Sequence, residues 1–275
     1  MKLTSLVFPS AALVVALVGC IDVDGIVYDL GEGGTGGAGG AGGAPKTYVD
    51  LVMEDQPIGY WRFNEATSAE VQDSSGKGHN AVSVADAGMV ERDVLGALLS
   101  TDVDAAISLA DGAYVVLDPN PYGLSGFAPY SLEGWVEVLA AAQPASIFAW
   151  IEQGANTSGV ETTLSNTSVH HLRYDGTGTF DDVAETMTSL VDGYHHLVVT
   201  FDGADALIYV DGTLVTDLDP PDSVASLPTL GAPLVIGRTQ LGTTIQLDEL
   251  ALYDHALPLT RVEAHFACGD HSECL

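Results

Sequence analysis

Short runs of alternating or continuous apolar residues recur along most of this chain, and Gly, Asp, Asn or Pro bound each run. Such runs are typical of β-strands, and few stretches are long enough for an amphipathic helix. The pattern therefore predicts an all-β, antiparallel sandwich or barrel. The predicted strands are Gly59–Asn64, Ala106–Ala110, Tyr114–Leu117, Ser131–Leu139, Ser146–Glu152, Thr162–Asn166, His170–Tyr174, His195–Phe201, Leu207–Val210, Thr213–Thr216, Leu234–Gly237 and Gln246–Tyr253.

The segment from Tyr194 to Thr216 has the clearest pattern of strands and turns. Asp202-Gly203 and Asp211-Gly212 separate three apolar runs. Asp-Gly pairs tolerate the positive φ angles that a two-residue type I′ turn requires. We therefore expect this segment to form a three-stranded meander.

Two short helices are predicted at the ends of the folded region. The first, Tyr48–Met53, precedes Gln56-Pro57, and a proline disfavours helix in the residue before it. Near the carboxyl end, Thr260 and Glu263 have the spacing of a capping box, in which both side chains accept backbone N–H bonds. The second helix is therefore predicted to run from this box to about Ala267.

The amino-terminal residues form an apolar run behind Lys2, from Leu3 to Val18. This run is short for a bilayer span of roughly twenty residues, and its length fits the core of a signal peptide. The ending Leu-Val-Gly-Cys20 resembles the lipobox of bacterial lipoproteins, which implies that residues 1–19 are removed and that Cys20 carries lipid. An uncleaved anchor and an ordinary secretion signal remain alternatives. The resemblance also implies sorting to the outer membrane, because Ile21 stands where the inner-membrane retention signal of such lipoproteins has an aspartate.

Residues 20–46 are predicted to be a tether, because Gly31–Ala44 consists almost entirely of glycine and alanine. Such a segment cannot bury enough apolar surface to offset its ordering entropy. As a flexible coil it would span roughly 28 Å. We expect a single folded domain over residues 47–267, followed by a cysteine-containing tail over residues 268–275.

The chain is strongly acidic, with 38 acids, 8 lysines and arginines, and a formal net charge of −30. Such a field repels nucleic acid and anionic membrane surfaces, so contact with a membrane is expected only through the lipid anchor. Charged residues make up only 17% of the chain and hydrophobic residues 47%, which favours a folded domain over an acidic disordered tail.

Cys268 and Cys274 are the two cysteines that remain once Cys20 is assigned to lipid. An even pair in an exported chain predicts one small disulfide, which would fasten the carboxyl end. A zinc site is the alternative, since His265 and His271 lie close by. Their spacing matches no standard zinc-finger pattern.

Five motifs occur in a characteristic order along the folded region. They are IGYWRFNE at 58–65, DSSGKGHN at 73–80, YHHLVVTFDG at 194–203, LIYVDG at 207–212, and IGR at 236–238 with LDELALY at 247–253. In this order they resemble the LamG-like jellyroll domains of the concanavalin A-like lectin and glucanase superfamily. The resemblance implies a two-sheet antiparallel jellyroll, and it leaves the activity open because this fold carries many functions. One departure is Tyr194, where family members usually have tryptophan.

Glu133 and Glu137 are the candidate acids for glycoside hydrolysis, because residues two apart on a strand share a face. The glucanases that this chain resembles carry three alternating acids on one strand, and Trp135 occupies the central place here. Catalysis by this pair is therefore not expected, and the chain is predicted not to be an enzyme.

Two pairs of adjacent histidines, His170-His171 and His195-His196, are weak metal candidates. Neighbouring side chains on a strand point to opposite faces, so one ion cannot bind both. Hydrogen bonding within the sandwich is the expected role of these rings.

Calcium is the metal that the sequence favours. Asp73 and Asn80 flank a glycine-rich turn and Asp248 lies in a late strand, and hard oxygen ligands suit this ion. In the alternative, Asp73 and Asn80 only build the turn through local hydrogen bonds.

The sequence as a whole predicts a non-catalytic binding module at the cell envelope that recognises a glycan or a protein surface. Trp150 and Tyr174 are the candidate stacking residues, because aromatic faces supply apolar area at low entropic cost. A structural scaffold of the envelope is the second hypothesis, and a glycoside hydrolase is the third.

Overall fold

A computed structural model describes residues 46–98, 104–118, 121–122, 127–152, 158–175, 180–186, 190–216, 232–271 and 274. In these residues the helices are α1 (Tyr48–Glu54) and α2 (Leu259–His271). The strands are β1 (Gly59–Trp61), β2 (Glu70–Val71), β3 (Ala81–Val84), β4 (Met89–Leu95), β5 (Ala105–Ala110), β6 (Tyr114–Leu117), β7 (Tyr130–Ala141), β8 (Ala145–Glu152), β9 (Ser158–Leu164), β10 (Val169–Asp175), β11 (Phe180–Thr186), β12 (His195–Phe201), β13 (Ala206–Val210), β14 (Thr213–Leu214), β15 (Leu234–Arg238) and β16 (Thr243–Tyr253).

The strands form two antiparallel sheets, which confirms the predicted two-sheet jellyroll. The first sheet has the order β14-β13-β12-β7-β16-β5-β4, with β1 also paired to β16. The second has the order β11-β10-β9-β8-β15-β6-β3-β2. Neighbours in space are often distant in sequence, as where β7 lies between β12 and β16. The sandwich therefore depends on long-range pairing.

The main core lies between the two sheets and is built from alternate residues of their strands. Ile107, Leu132, Val199 and Leu247 come from the first sheet, and Ile236 from the second. All five are almost completely buried. Because side chains alternate between the faces of a strand, this core fixes which side chains point outward.

The two helices cover the outer face of the first sheet. Residues of α1 and α2, among them Leu51 and Val262, form a second apolar cluster with Trp135 and Tyr253 of the sheet. Gly269 of α2 lies so close to the sheet that a Cβ atom there would be 2.3 Å from the Trp135 ring. Glycine therefore allows α2 to approach the tryptophan.

The predicted position of the second helix needs correction. The helix begins at Leu259 and continues to His271, so Thr260 lies inside it rather than at its cap. The carbonyl of Pro258 accepts the backbone N–H bonds of Arg261 and Val262. The capping box occurs at α1, where the Thr47 hydroxyl accepts from Asp50 N–H and the Asp50 carboxylate accepts from Thr47 N–H.

The two Asp-Gly turns of the predicted meander differ. Asp211 and Gly212 have φ angles of 51° and 70°, as a type I′ turn requires. At the other turn Gly203 has a φ of 103°, and the Asp202 carboxylate accepts N–H bonds from Ala204 and Asp205. The Asp211-Gly212 turn therefore has the expected geometry, and the Asp202-Gly203 turn is held by hydrogen bonds to the Asp202 side chain.

The chain ends of the described region meet beside α1. Lys46 pairs with Cys274 in an isolated bridge, and Cys274 forms a disulfide with Cys268 of α2. The predicted lipid site, Cys20, lies outside the described residues. No helix among the described ranges has the length and apolarity to cross a membrane.

Candidate functional site

The most heavily hydrogen-bonded acid of the first sheet is Glu133 of β7, whose side chain is fully buried. Its Oε1 accepts bonds from Tyr48 Oη at 2.9 Å and faces His196 Nε2 and His265 Nδ1, each at 2.8 Å. Its Oε2 accepts a bond from Tyr253 Oη at 2.6 Å. These five residues, the Glu133 cluster, join α1 and α2 to the sheet.

The charges of the Glu133 cluster are balanced. His265 faces a second carboxylate, because its Nε2 lies 2.9 Å from Asp55 Oδ2, and Arg261 Nε also donates to Asp55. Burial favours the neutral ring, but Glu133 and Asp55 raise the pKa of His265 to about 9. Burial likewise opposes ionisation of Glu133, but His265 and His196 lower its pKa well below the usual value.

This geometry bears on the candidate catalytic pair. Glu133 is enclosed beneath the two helices and its oxygens are occupied, whereas Glu137 is partly exposed further along β7. Trp135 lies between them on the same face, buried against α2. Glu133 therefore has the environment of a residue that fastens the helices.

The histidine pairs point to opposite faces of their strands, as expected. His196 joins the Glu133 cluster, whereas His195 Nδ1 faces Asp211 at 2.8 Å beside the β13–β14 turn. His171 is fully buried and bonds Tyr130 Oη at 2.7 Å, whereas His170 is partly exposed. In neither pair do the two rings lie where a single metal ion could bind both.

The predicted calcium ligands Asp73 and Asn80 build the turn between β2 and β3. Asp73 accepts backbone N–H bonds from Tyr60, Ser75 and His79 at 3.1, 2.9 and 2.9 Å. Asn80 Oδ1 accepts from the Asp73 N–H at 3.0 Å. Although burial disfavours its charge, these donors lower the pKa of Asp73. The Asp73 carboxylate thus holds three donors, as in the turn-building alternative.

Asp248, the third predicted ligand, belongs to a different group of acids. Carboxylate oxygens of Asp104, Asp248 and Glu249 all lie within 4.8 Å of one another. We refer to these three residues as the acidic cluster. Asp248 and Glu249 are fully buried on β16, and Asp104 directly precedes β5.

A bulge in β16 brings two adjacent acids into one cluster. The pairing of β16 with β7 shifts between Asp248 and Ala251, and Glu249 has a φ of 50°. In a regular strand these neighbours would point to opposite faces, but a bulge re-aims a side chain. β16 pairs with β5 before the bulge and with β1 after it.

Among the residues that the structure describes, the acidic cluster has one cationic neighbour. Arg62 Nε donates to Glu249 Oε1 at 2.8 Å, and Arg62 Nη2 lies 3.9 Å from Asp104 Oδ1. Tyr60 Oη also donates to Glu249. Burial raises the pKa of Glu249 to about 7 despite Arg62 and Tyr60. Burial, then Glu249 and Asp104, raise the pKa of Asp248 well above its usual value.

The outer face of the second sheet carries a row of polar and aromatic side chains across β6, β15, β8, β9 and β10. Arg238 lies over the Tyr114 ring, with its Cζ 4.9 Å from the ring centroid, and pairs in register with Ser146. Ser146 Oγ and Tyr174 Oη both donate to the Glu161 carboxylate, the latter at 2.9 Å. These five partly exposed residues form the outward strip.

Sequence neighbours of the outward strip show that it faces away from the core. Val115 follows Tyr114 and belongs to the core cluster, as do Ala145 and Val160 beside Ser146 and Glu161. Arg173 precedes Tyr174 and lies over the buried Phe201 ring at 3.9 Å. By the alternation of strands, the strip residues point outward.

The prediction that Trp150 is an exposed stacking residue is wrong. Its side chain is only 2% exposed, and it packs in the main core with Tyr122. Position 150 falls on the inward face of β8, whereas Tyr174 falls on the outward face of β10. Sequence reasoning could not separate these two aromatics, because the face depends on register.

Several site residues were missed at the sequence level, namely Asp104, Glu249, Tyr114, Arg238 and Glu161. One signal was present at Glu249, since Leu247-Asp248-Glu249-Leu250 places two adjacent acids within an apolar strand. Such acids seldom become buried without partners. Asp104 and the strip residues come together only through strand pairing.

Comparisons with known proteins agree with this fold. A laminin G family model, described as the Concanavalin A-like lectin/glucanases superfamily, matches residues 109–263. No curated protein matches the chain in sequence.

Three solved structures illustrate the likeness. The botulinum neurotoxin serotype D binding domain has a TM-score of 0.57 at 14% identity, covering 78% of this chain and 52% of that one. The binding domain of Paraclostridial Mosquitocidal Protein 1 has a TM-score of 0.58 at 16% identity, again covering 78% of this chain and 52% of that one. The botulinum neurotoxin serotype D ligand binding domain in complex with N-acetylneuraminic acid has a TM-score of 0.56 at 13% identity, covering 80% of this chain and 52% of that one. The match spans about half of each of these structures.

Proposed function

Since this chain belongs to the concanavalin A-like lectin/glucanases superfamily, we propose that it is a non-catalytic module that binds a glycan through the outward strip. The observation that carries the proposal is the contrast between the outer faces of the two sheets. Helices α1 and α2 cover the first, and the second presents the outward strip.

The outward strip has the chemical groups that sugar recognition uses. Tyr114 and Tyr174 supply aromatic faces, Arg238 supplies hydrogen-bond donors, and Glu161 supplies acceptors. Aromatic faces fit the apolar sides of sugar rings, and charged groups form the stronger hydrogen bonds to hydroxyls. The bonds from Ser146 and Tyr174 hold Glu161 in place, which lowers the cost of ordering it on binding.

Two further observations support a binding role over catalysis. Glu133 is enclosed and hydrogen-bonded within its cluster, so it cannot readily act on a glycosidic bond. The solved structures similar to this chain are themselves titled as binding domains, and one is in complex with N-acetylneuraminic acid. They support glycan binding in general and do not name the sugar for this chain.

We also propose that the module is displayed at the bacterial envelope, on the outer membrane, through lipid on Cys20. The Gly/Ala-rich tether would enter the domain at Lys46, next to α1 on the helix-covered side. The outward strip belongs to the other sheet and would face away from the point of attachment. The net charge of −30 disfavours nucleic acid and anionic lipid as partners.

A glycan array tests the binding proposal. We expect the purified protein to bind a subset of glycans, Tyr174→Ala to lose at least tenfold in affinity, and Tyr174→Phe to retain more because it keeps the ring. Glu161→Gln should also weaken binding, whereas Glu91→Gln, at an exposed position on β4, should not. A blank array at high protein concentration would contradict the proposal and favour a protein partner. Equal binding by wild type and Tyr174→Ala would show that the outward strip is not the binding site.

The anchor is tested separately in a bacterial host. Mass spectrometry of the mature protein should find a diacyl or triacyl modification on Cys20. The Cys20→Ala variant should no longer be found in the membrane fraction. An unmodified thiol at Cys20, or an uncleaved amino terminus, would contradict the anchor without affecting the glycan proposal.

A further inference from the structure

The residues of the outward strip lie along a diagonal line across the second sheet. Arg238 of β15 pairs in register with Ser146 of β8. The same row continues through Thr163 of β9 to His170 of β10. Three strand spacings, or roughly 14 Å, therefore separate Arg238 from the level of His170. Tyr174 lies four residues further along β10, which adds roughly 13 Å in the perpendicular direction. The backbones of Arg238 and Tyr174 are thus about 20 Å apart.

An aromatic ring stands at each end of this line, and hydrogen-bonding groups lie between the rings. At one end Arg238 covers the Tyr114 ring, with its Cζ 4.9 Å from the ring centroid. At the other end is Tyr174. Glu161 occupies the middle, where its carboxylate accepts hydrogen bonds from Ser146 and Tyr174. The strip therefore repeats apolar and polar contacts over its length.

The strip is an open surface rather than a cavity. All five of its residues are partly exposed, and each comes from a different strand of the same sheet. A cavity of about 330 Å³ lies elsewhere, at the end of α1, where Asp55 and His255 are among its lining residues. A site for one small ligand usually encloses most of that ligand in a pocket. An open row of contacts suits a long ligand instead.

We propose that the outward strip binds an internal segment of an extended, uncharged polysaccharide chain that lies diagonally across the second sheet. This inference rests on the proposed glycan-binding function and adds to it the length and the charge of the glycan. A sugar unit with its linkage extends such a chain by roughly 5 Å, about one strand spacing. The line from Arg238 to Tyr174 therefore corresponds to about four sugar units. A single terminal sugar would contact only one end of the line.

The charges of the molecule favour an uncharged chain. The net charge of −30 repels a polyanion at long range. Within the strip, Arg238 and Glu161 supply one charge of each sign, so neither sign of ligand is favoured there. The guanidinium can donate hydrogen bonds to sugar hydroxyls and the carboxylate can accept them, and such charge-assisted bonds are the stronger ones. Hydroxyl-rich chains without acidic groups match both requirements.

Affinity electrophoresis of the purified protein tests the class of polysaccharide. The native gels contain hydroxyethyl cellulose, arabinoxylan, glucomannan or laminarin as uncharged chains, and alginate or polygalacturonate as anionic chains. We expect at least one uncharged polysaccharide to retard the wild type, and we expect less retardation by both anionic chains. Equal or stronger retardation by an anionic chain would overturn the proposal. So would a panel in which no polysaccharide retards a protein that binds glycans on the array.

A length series distinguishes a polysaccharide chain from a terminal sugar. Titration calorimetry uses the mono-, di-, tetra- and hexasaccharides of the polysaccharide that retards the protein. Affinity should rise by about tenfold or more from the disaccharide to the tetrasaccharide, because contacts linked within one ligand reinforce one another. Equal affinity for the monosaccharide and the hexasaccharide would overturn this inference and leave the glycan-binding function in place. No binding to any glycan, on the array or in the gels, would overturn both.

Variants at the two ends connect the length dependence to the strip. For the hexasaccharide, Arg238→Ala and Tyr174→Ala should each weaken binding by about tenfold or more. For the disaccharide, which cannot span the line, only one of the two variants should weaken binding. The matched control Glu91→Gln, at an exposed position of β4 in the first sheet, should bind like the wild type. Circular dichroism establishes that each variant is folded. A folded variant at either end that binds the hexasaccharide like the wild type would overturn the diagonal placement.

Discussion

Two groups of buried acids lie on the first sheet, and they differ in how their charge is balanced. In the Glu133 cluster and its neighbours, the carboxylates of Glu133 and Asp55 face His265 and Arg261. In the acidic cluster, three carboxylates share Arg62. The pKa of Glu133 is lowered well below its usual value, whereas the pKa of Glu249 is raised to about 7. Burial raises the pKa of both acids, and only at Glu133 do the neighbouring cations outweigh it.

The difference shows that buried acids of one sheet can be balanced by cations in one place and left with an excess of carboxylates in another. Glu133 has four partners from α1, α2, β12 and β16, and these complete the attachment of the helices. The acidic cluster has an unpaired oxygen on Asp104. Acid-to-amide substitutions should therefore have opposite consequences in the two groups.

The largest effect is expected for Glu133→Gln. The substitution removes the charge that His265 and His196 face and leaves a buried imidazolium without its main partner, which should cost about 3 kcal/mol or more. Urea unfolding measures the loss. Glu137→Gln, at a partly exposed position on the same strand, should change stability by no more than about 0.5 kcal/mol. Similar values for the two variants would contradict the structural role of Glu133.

The pH dependence of stability should reveal the contribution of His265. Folding raises the pKa of His265 from 6.5 to about 9, so its stabilisation is complete below pH 6.5 and is lost as the pH rises toward 9. The shift corresponds to about 3 kcal/mol. His265→Gln should be less stable than wild type at pH 6.5 and lose less on going to pH 9. Parallel pH profiles of the two proteins would refute this assignment.

An acid-to-amide substitution in the acidic cluster should raise stability, in contrast to Glu133→Gln. Asp104→Asn removes one like charge, and its amide can donate to Asp248, so the free energy of unfolding should rise by about 1 kcal/mol. Urea unfolding measures the change. A loss comparable to that of Glu133→Gln would show that the two groups are alike.

The smallest effects concern the helix above the Glu133 cluster. Thr47 caps α1, which positions Tyr48 over Glu133, so Thr47→Ala should cost about 1 kcal/mol. Thr260→Ala should cost no more than about 0.5 kcal/mol, because Thr260 is an exposed residue inside α2. A larger loss for Thr260→Ala than for Thr47→Ala would support the predicted capping box at Thr260.

Much of the fold could be predicted because the central strands carry continuous apolar runs. β7, β12 and β16 were all predicted, with ends that differ by a few residues. β2, β3, β4 and β11 were missed. In β4, Met89–Leu95, three consecutive charged residues interrupt the apolar ones and the strand lies at the edge of the first sheet, so its apolar signal is weak.

The candidate sites were less predictable. The sequence indicated opposite faces for the histidine pairs, which follows from the two-residue repeat of a strand. It did not place Trp150 on the correct face of its strand, and it did not indicate that Asp248 lies beside Asp104. Sequence spacing does not say which distant strand lies alongside.

The sequence by itself determined the class of fold, most of its strands, the helix at Tyr48 and the acidic character of the surface, because these depend on local periodicity and composition. The tertiary structure decided which acids meet. Long-range pairing places Asp104 beside β16, and the bulge at Glu249 turns two adjacent acids into one cluster. Pairing of β7 with β12, and packing of α1 and α2 on the sheet, likewise give Glu133 its partners. Such convergence arises from register and packing, which no local pattern encodes.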